Sequence, residues 1–444
     1  MRKAAVVGAG LAGCEAAWQL AQRGIRVDLM EMKPGRMTPA HHSPDFAELV
    51  CSNSLRSDRI TNAVGLLKEE MRRMDSLIMR CADEHRIPAG SALAVDRTGF
   101  ARSVTERISG HPNIRVIPGE VTSIPEGPCI LAPGPLVSEA LCGRILALPG
   151  ISALNFYDAA APIVSRESLD ESKMFRASRY DRGDGDDYLN CPMDREQYFA
   201  FVTALLEAET APVHGFEESG VFEGCMPVES MARRGMMALA FGPMKAAGLK
   251  RHWPKGELFA VVQLRRDDAA ETAYNIVGFQ TRLKFSEQKR VFSMIPGLEN
   301  AVFERYGVMH RNTFLNSPGV LDDHYRFIGG DGLYFAGQIT GVEGYVESAA
   351  SGLLAGVSLA AELCSMAPPA FTRATALGAL GYYVAAANRH FQPMNITFSL
   401  MEGAVGGGDR QARLERTAAR SFERIGEILS GYGTGRFITD QRGE

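Results

Sequence analysis

An apolar strand runs straight into a glycine loop near the start of the chain: Lys3-Ala4-Ala5-Val6-Val7-Gly8-Ala9-Gly10-Leu11-Ala12-Gly13. Gly8, Gly10 and Gly13 fit the G-x-G-x-x-G pattern. In that pattern the first glycine permits the tight turn out of the strand. The second lets a pyrophosphate approach the backbone, and the third lets the next helix pack on the strand. The helix N-terminus, opened by Gly8, Ala9, Gly10, Leu11, Ala12 and Gly13, then offers free N–H groups and a positive dipole end to phosphates. Cys14 to Arg23 reads as that helix, stopped by Gly24, and Ile25 to Met30 as a second strand. Glu31 stands at its end, where an acid can accept a hydrogen bond from a ribose hydroxyl. The unit predicts an α/β fold with a dinucleotide bound at its first turn.

A chain of 444 residues predicts two or three domains, each with a real core. Its eight cysteines (Cys14, Cys51, Cys81, Cys129, Cys142, Cys191, Cys225 and Cys364) include no C-x-x-C pair, which argues against a zinc ribbon or a dithiol redox motif. They read as free thiols of a reducing cytoplasm, and no metal is expected. No signal peptide is visible, and no apolar run reaches the roughly 18 residues that a membrane span needs. The net charge of −4 argues against a general nucleic-acid coat protein but allows a local basic surface.

Further along, residues 34–60 are loop-rich and 64–81 read as a helix. Pro128-Cys129-Ile130-Leu131-Ala132-Pro133-Gly134 reads as a strand leading to glycine, followed by a helix over 135–148. From about 160 to 316 charges cluster and periodicity fades, which predicts an inserted domain. Gly332 to Gln338 is again a short apolar strand ending in glycine. It is followed by Gly341-Val342-Glu343-Gly344-Tyr345 and an Ala/Gly-rich helix over 346–363. Helices over 371–388 and 409–429 close the chain. The reading is an α/β chain: a Rossmann-like FAD-binding domain of the two-dinucleotide-binding flavoprotein type, formed by 1–160 and 317–444, with an inserted α+β domain at 161–316. A second nicotinamide-type fingerprint is missing, since Gly406-Gly407-Gly408 has no apolar strand before it. The chain is therefore expected to hold one FAD and to meet NAD(P)H transiently.

Six blocks together resemble the folate- and FAD-dependent tRNA (uracil-5-)-methyltransferases: GAGLAGCEAA (8–17), ELVCSNSLRSD (48–58), FEGCMPVE (222–229), MHRNTFLNSP (309–318), YFAGQITGVEGYVESAASG (334–352) and FQPMN (391–395). The related flavoproteins that modify the wobble uridine of tRNA share the glycine loop and the AGQ-x-x-G block but carry a long C-terminal extension. The resemblance implies transfer of a carbon from methylenetetrahydrofolate to C5 of a T-loop uridine, with reduced FAD as reductant and NAD(P)H as electron source. It also implies Gly337 and Gln338 in the place of the usual flavoprotein Gly-Asp pair.

C5 of uracil is a poor nucleophile until a thiolate adds at C6; a base must later remove the C5 proton. By resemblance, Cys225 is the C6 nucleophile, and Cys51, with Arg56 and Arg59 close in sequence, is the base or a protector of the flavin. The two roles remain exchangeable at this level. His310 is the candidate to cover a pteridine stacked on the flavin, and Tyr345 to lie near the flavin ring. Arg282 or Lys284 is a candidate for the folate carboxylates. FQPMN has no reading from the residues alone.

RNA contact must come from local charge. Residues 231–290 hold 12 Lys/Arg against 5 Asp/Glu, with Trp253 and Phe285 interleaved. Arg410, Arg413, Arg416, Arg420 and Arg424 share one helical face, partly neutralised by Glu427. Other readings stay open: the same chemistry on ribosomal RNA, a wobble-uridine flavoprotein, a small-molecule flavin oxidoreductase, or a non-catalytic FAD-binding partner of RNA. The expected setting is the cytoplasm; oligomeric state is not readable.

Overall fold

The computed structural model describes residues 2–183, 185–212, 226–403 and 409–433, with the backbone alone at 156–158, 310 and 311. Cys225 and Gly406 to Gly408 lie outside the described residues, as does the side chain of His310.

The apolar runs at Lys3–Val7, Arg26–Glu31, Ile114–Pro118, Cys129–Leu131 and Leu333–Phe335 form one parallel sheet. Lys3–Val7 lies at its centre, flanked by Cys129–Leu131 and Arg26–Glu31. Such a sheet is covered on both faces, and its central strand and the two on the Cys129 side are mostly apolar. Helix Leu11–Gln22 packs along Tyr345–Leu363. The two approach closely because both are rich in small residues: a Cβ on Gly352 would lie 2.1 Å from the Ala12 carbonyl oxygen.

Helix Tyr345–Leu363 amends the expectation about apolar runs. It is long and apolar enough to cross a bilayer, but 83% of its 18-residue window is buried inside the protein. It is a core helix by position. The helix read over 64–81 is two, Ala63–Arg73 and Leu77–Glu84. Asp75 turns the chain with φ 58°, and the Ser76 hydroxyl caps the second helix by accepting the Met79 N–H. Two other helices are shorter than read. Ser138 and Thr375 cap Glu139–Leu146 and Ala376–Ala385 and so set where they begin.

A second sheet is antiparallel. Its order is Phe175–Arg176, Tyr188–Met193, Ala260–Arg266, Ala273–Ile276, Ile163–Ser165, Phe303–Arg305. Helices Arg195–Glu207 and Phe285–Phe292 help close its own core, which includes Tyr198, Phe201, Phe279 and Phe292. The chain enters and leaves this region through an antiparallel ribbon, Ala153–Ala159 against Met309–Leu315. Two strands joined in register hold the second sheet beside the first more firmly than two loose linkers.

Candidate functional site

A cavity of about 1020 Å³ opens at the carboxyl ends of the parallel strands, between them and the antiparallel sheet. It is at the top of the ~300–1,000 Å³ range usual for cofactor and small-molecule sites, and it lies where open α/β sheets bind ligands. Its floor is the glycine loop. Gly8 has φ +95°, and a Cβ there would lie 2.3 Å from the Ala132 carbonyl oxygen. A Cβ on Gly13 would lie 1.8 Å from the Gly8 carbonyl oxygen, so Gly13 serves helix-on-strand packing. Gly10 differs: a Cβ there meets no atom within 4 Å, because it points into open space. No side chain caps helix Leu11–Gln22 and no acid occupies its first turn. Its N–H groups and dipole end are therefore left for an external anion.

Glu31 lines the same cavity and is buried. Its carboxylate accepts the Ala9 N–H at 2.6 Å and the Lys33 N–H at 2.9 Å, which ties the loop to the end of the second strand. On the opposite wall Gly337 has φ +84° and donates its N–H to the Ser351 hydroxyl at 2.7 Å. The Gln338 amide donates to Glu343 at 2.6 Å. A second uncapped helix, Tyr345–Leu363, starts here after Gly344. The open wall at Gly10, the uncapped start of helix Leu11–Gln22 and the buried Glu31 are the donor and acceptor set that FAD requires. The cavity fits that cofactor.

FQPMN acquires a role from the fold. The Phe391 ring lies where a Cβ on Gly341 would be, 2.4 Å away. Met394 bridges to Val342, and the Asn395 amide donates to the Glu343 carbonyl at 2.6 Å. The block clamps the turn that launches helix Tyr345–Leu363.

Cys51 and Tyr345, 294 positions apart, meet in this cavity with Sγ 2.9 Å from the phenol oxygen. The same oxygen accepts the Cys51 N–H at 2.8 Å. Burial, with the Cys51 charge second, pushes the Tyr345 phenol well above its usual range, although Arg97 pulls it down. Tyr345 is thus held as a neutral phenol that can donate to the sulfur.

Of Arg56 and Arg59, close to Cys51 in sequence, Arg56 lines the same cavity and pairs with the buried Glu347. The fields of Arg97 and Arg265 reach the Cys51 sulfur. Burial opposes the Arg97 charge, but Asp267, at 2.7 and 3.1 Å, keeps its pKa raised. Burial lowers Arg265, which forks to the Asn53 and Ser52 side chains at 2.9 Å each and so braces the segment carrying Cys51. Arg305 lines the cavity as well and donates to the Val50 carbonyl at 3.0 Å. These arginines come from distant elements, and no local signal in the sequence marks them.

Phe285 and Tyr306 stack at a 4.7 Å centroid separation on the antiparallel side of the cavity, and Tyr306 stacks in turn on Phe303 at 5.1 Å. Phe285 keeps an exposed face. Of the folate-tail candidates, Lys284 pairs with Glu209 at 2.5 Å, and the Arg282 backbone N–H is taken by Glu229 at 2.9 Å. The arginine stripe on Arg410–Tyr432 is partly structural: Arg420 and Arg424 donate to the Gly403 and Ala370 carbonyls.

The model of the family "GIDA: Glucose inhibited division protein A" matches residues 3–366. A curated relative from Staphylococcus carnosus is 57% identical over 422 residues, 94% of this chain and 96% of the relative. One from Bacillus subtilis is 56% identical over 425 residues, 95% and 98%. Both carry the name "Methylenetetrahydrofolate--tRNA-(uracil-5-)-methyltransferase TrmFO". Among solved structures, Aquifex aeolicus GidA superposes with a TM-score of 0.70 at 15% identity, over 96% of this chain and 76% of that one. At that identity the likeness speaks for the fold alone.

Proposed function

The chain belongs to the glucose-inhibited division protein A family, among its methylenetetrahydrofolate–tRNA-(uracil-5-)-methyltransferases, and from that premise we propose that it methylates C5 of a T-loop uridine in tRNA. Methylenetetrahydrofolate is the carbon donor, and NAD(P)H the source of electrons. When bound, FAD supplies the reducing equivalents that turn a folate-borne methylene into a methyl group.

The Gly8 to Gly13 loop would hold the pyrophosphate with Gly10 as its open wall. Glu31 would take the ribose, and Gly337 and Gln338 the far end of the cofactor. The observation that carries the reading is the Cys51–Tyr345 pair, set in one cavity with that loop and within reach of the Arg97 and Arg265 charges. Cations around a sulfur favour the anionic form that attacks carbon or takes a proton.

In the chemistry we propose, the Cys225 thiolate adds to C6 of the uracil. C5 then gains enolate character and bonds to the folate methylene as the bond from that carbon to one folate nitrogen opens. Cys51 removes the C5 proton, which expels the second folate nitrogen; with the hydride that reduced FAD would supply to the resulting exocyclic methylene, loss of the Cys225 thiolate from C6 restores the base. Tyr345 holds Cys51 in place and excludes water from it. His310 would cover the pteridine. We also propose the division into 1–160, 161–316 and 317–444 as the functional one, with the insert on the RNA side. The setting is the cytoplasm, where tRNA and reduced folates are available.

The test is Cys225→Ala. The variant is expected to purify yellow with its FAD and to form no 5-methyluridine in tRNA. Undiminished methylation in that variant would overturn the nucleophile assignment.

A further inference from the structure

A second cavity, of about 460 Å³, lies in the insert and shares no residue with the first. Its apolar walls include Met237, Phe241, Trp253, Leu258 and Phe259, and its charged lining residues are Lys250 and Glu257. Phe241 is 80% exposed, on the short helix Ala238–Phe241. Trp253 is backed by Phe175 at a 5.5 Å centroid separation and flanked by the Lys255 ammonium, 5.5 Å from its ring.

The surrounding charge is one-sided. Residues 231–258 contain six Lys/Arg and one acid, Glu257. Elsewhere in the basic segment four cations are engaged within the protein. Arg265 braces Asn53 and Ser52, Arg266 pairs with Glu271, Lys284 with Glu209 and Arg290 with Glu287. Lys245, Lys250 and Lys255 are exposed and make no ion pair among the described residues. An aromatic cleft with Lys250 in its wall and Lys255 beside Trp253 is a pattern that takes a nucleic-acid base by stacking and its phosphates by charge.

The strand Ala260–Arg266 links this cleft to the first cavity. Phe259 lines one and Arg265 the other, six residues on. At about 3.3 Å per residue, that is roughly 20 Å. One folded RNA loop can reach both.

We propose that this cleft is a second RNA-binding site, which stacks an unpaired nucleotide of the tRNA between Phe241 and Trp253 while Lys250 and Lys255 hold its phosphates. The inference rests on the RNA-modifying reading and adds where the substrate is gripped away from the reacting base.

The test uses full-length, FAD-loaded protein and a tRNA transcript. Binding is measured by anisotropy over a salt series, and methylation separately. Phe241→Ala is expected to weaken tRNA binding about tenfold, raising KM with kcat and FAD content unchanged. Lys250→Ala with Lys255→Ala is expected to flatten the slope of log K against log salt by about two. Unchanged affinity and slope in both variants would overturn the cleft, as would self-association that Phe241→Ala abolishes with tRNA affinity intact. Failure of the unaltered protein to methylate tRNA would instead overturn the proposed function. Weakened binding in the variants would still support the cleft in that case.

Discussion

Gly10 and Gly13 stand three residues apart and lack side chains for different reasons. Gly13→Ala drives a methyl group into the Gly8 carbonyl and is expected to destabilise the fold by about 1–3 kcal/mol, seen as a lower Tm. Gly10→Val has an ordinary backbone and its Cβ meets no atom of the protein, so the variant should fold, with the Tm of the flavin-free unaltered protein. It should nevertheless purify without flavin, because the side chain occupies the face a pyrophosphate needs. Flavin retained by Gly10→Val would contradict the assignment of the loop. These glycines were legible because the motif is local: strand, turn and helix are contiguous. The Cys51–Tyr345 contact and the Arg97 and Arg265 charges were not, since they depend on how segments some 50 to 300 residues apart are paired. Tyr345→Phe tests that contact. It leaves the partly buried Cys51 N–H without its acceptor and is expected to cost about 1 kcal/mol, read by thermal unfolding.

Three helices meet at one buried carboxyl. Glu70, on Ala63–Arg73, accepts the Ala376 and Leu377 N–H groups at 2.7 and 2.8 Å, and the Ser421 hydroxyl at 2.5 Å. It thereby joins the start of Ala376–Ala385 to Arg410–Tyr432. Burial pushes its pKa up to about 7, with these hydrogen bonds only partly offsetting it. A carboxyl raised in the folded state stabilises most when protonated, so its contribution is full at acid pH and is lost as pH rises through about 7. Relative to Glu70→Gln, the unaltered protein should lose stability from pH 5 to 8, by up to about 3 kcal/mol. Denaturant titrations at several pH values check this, and parallel curves for the two proteins would contradict it. The helices themselves were visible as periodic apolar stretches. Their ends were not: the break at Asp75 rests on a left-handed backbone at an acidic residue, where no glycine or proline announces a turn.

The main cavity is built from both sheets, with Gly8 to Ala12 from the parallel one and Arg265, Phe285 and Tyr306 from the insert. A ligand that fills it binds the folded form alone and adds stability by mass action, about 2.7 kcal/mol at a hundredfold excess over Kd. Stripping the flavin should therefore lower Tm, and added FAD should restore it; a Tm indifferent to FAD would contradict FAD binding by the folded protein. The parallel fold was legible from two strand-to-glycine units separated by an irregular stretch. The ribbon that aligns them was not, because Ala153–Ala159 and Met309–Leu315 pair across 150 residues. The central claim is that this fold passes a folate-borne carbon to a tRNA uridine. Its most direct test is mass spectrometry of T-loop tRNA incubated with the purified protein and NAD(P)H, with methylenetetrahydrofolate or S-adenosylmethionine supplied separately. The account predicts 5-methyluridine with the folate alone; product formed with S-adenosylmethionine, or none with the folate, would contradict it.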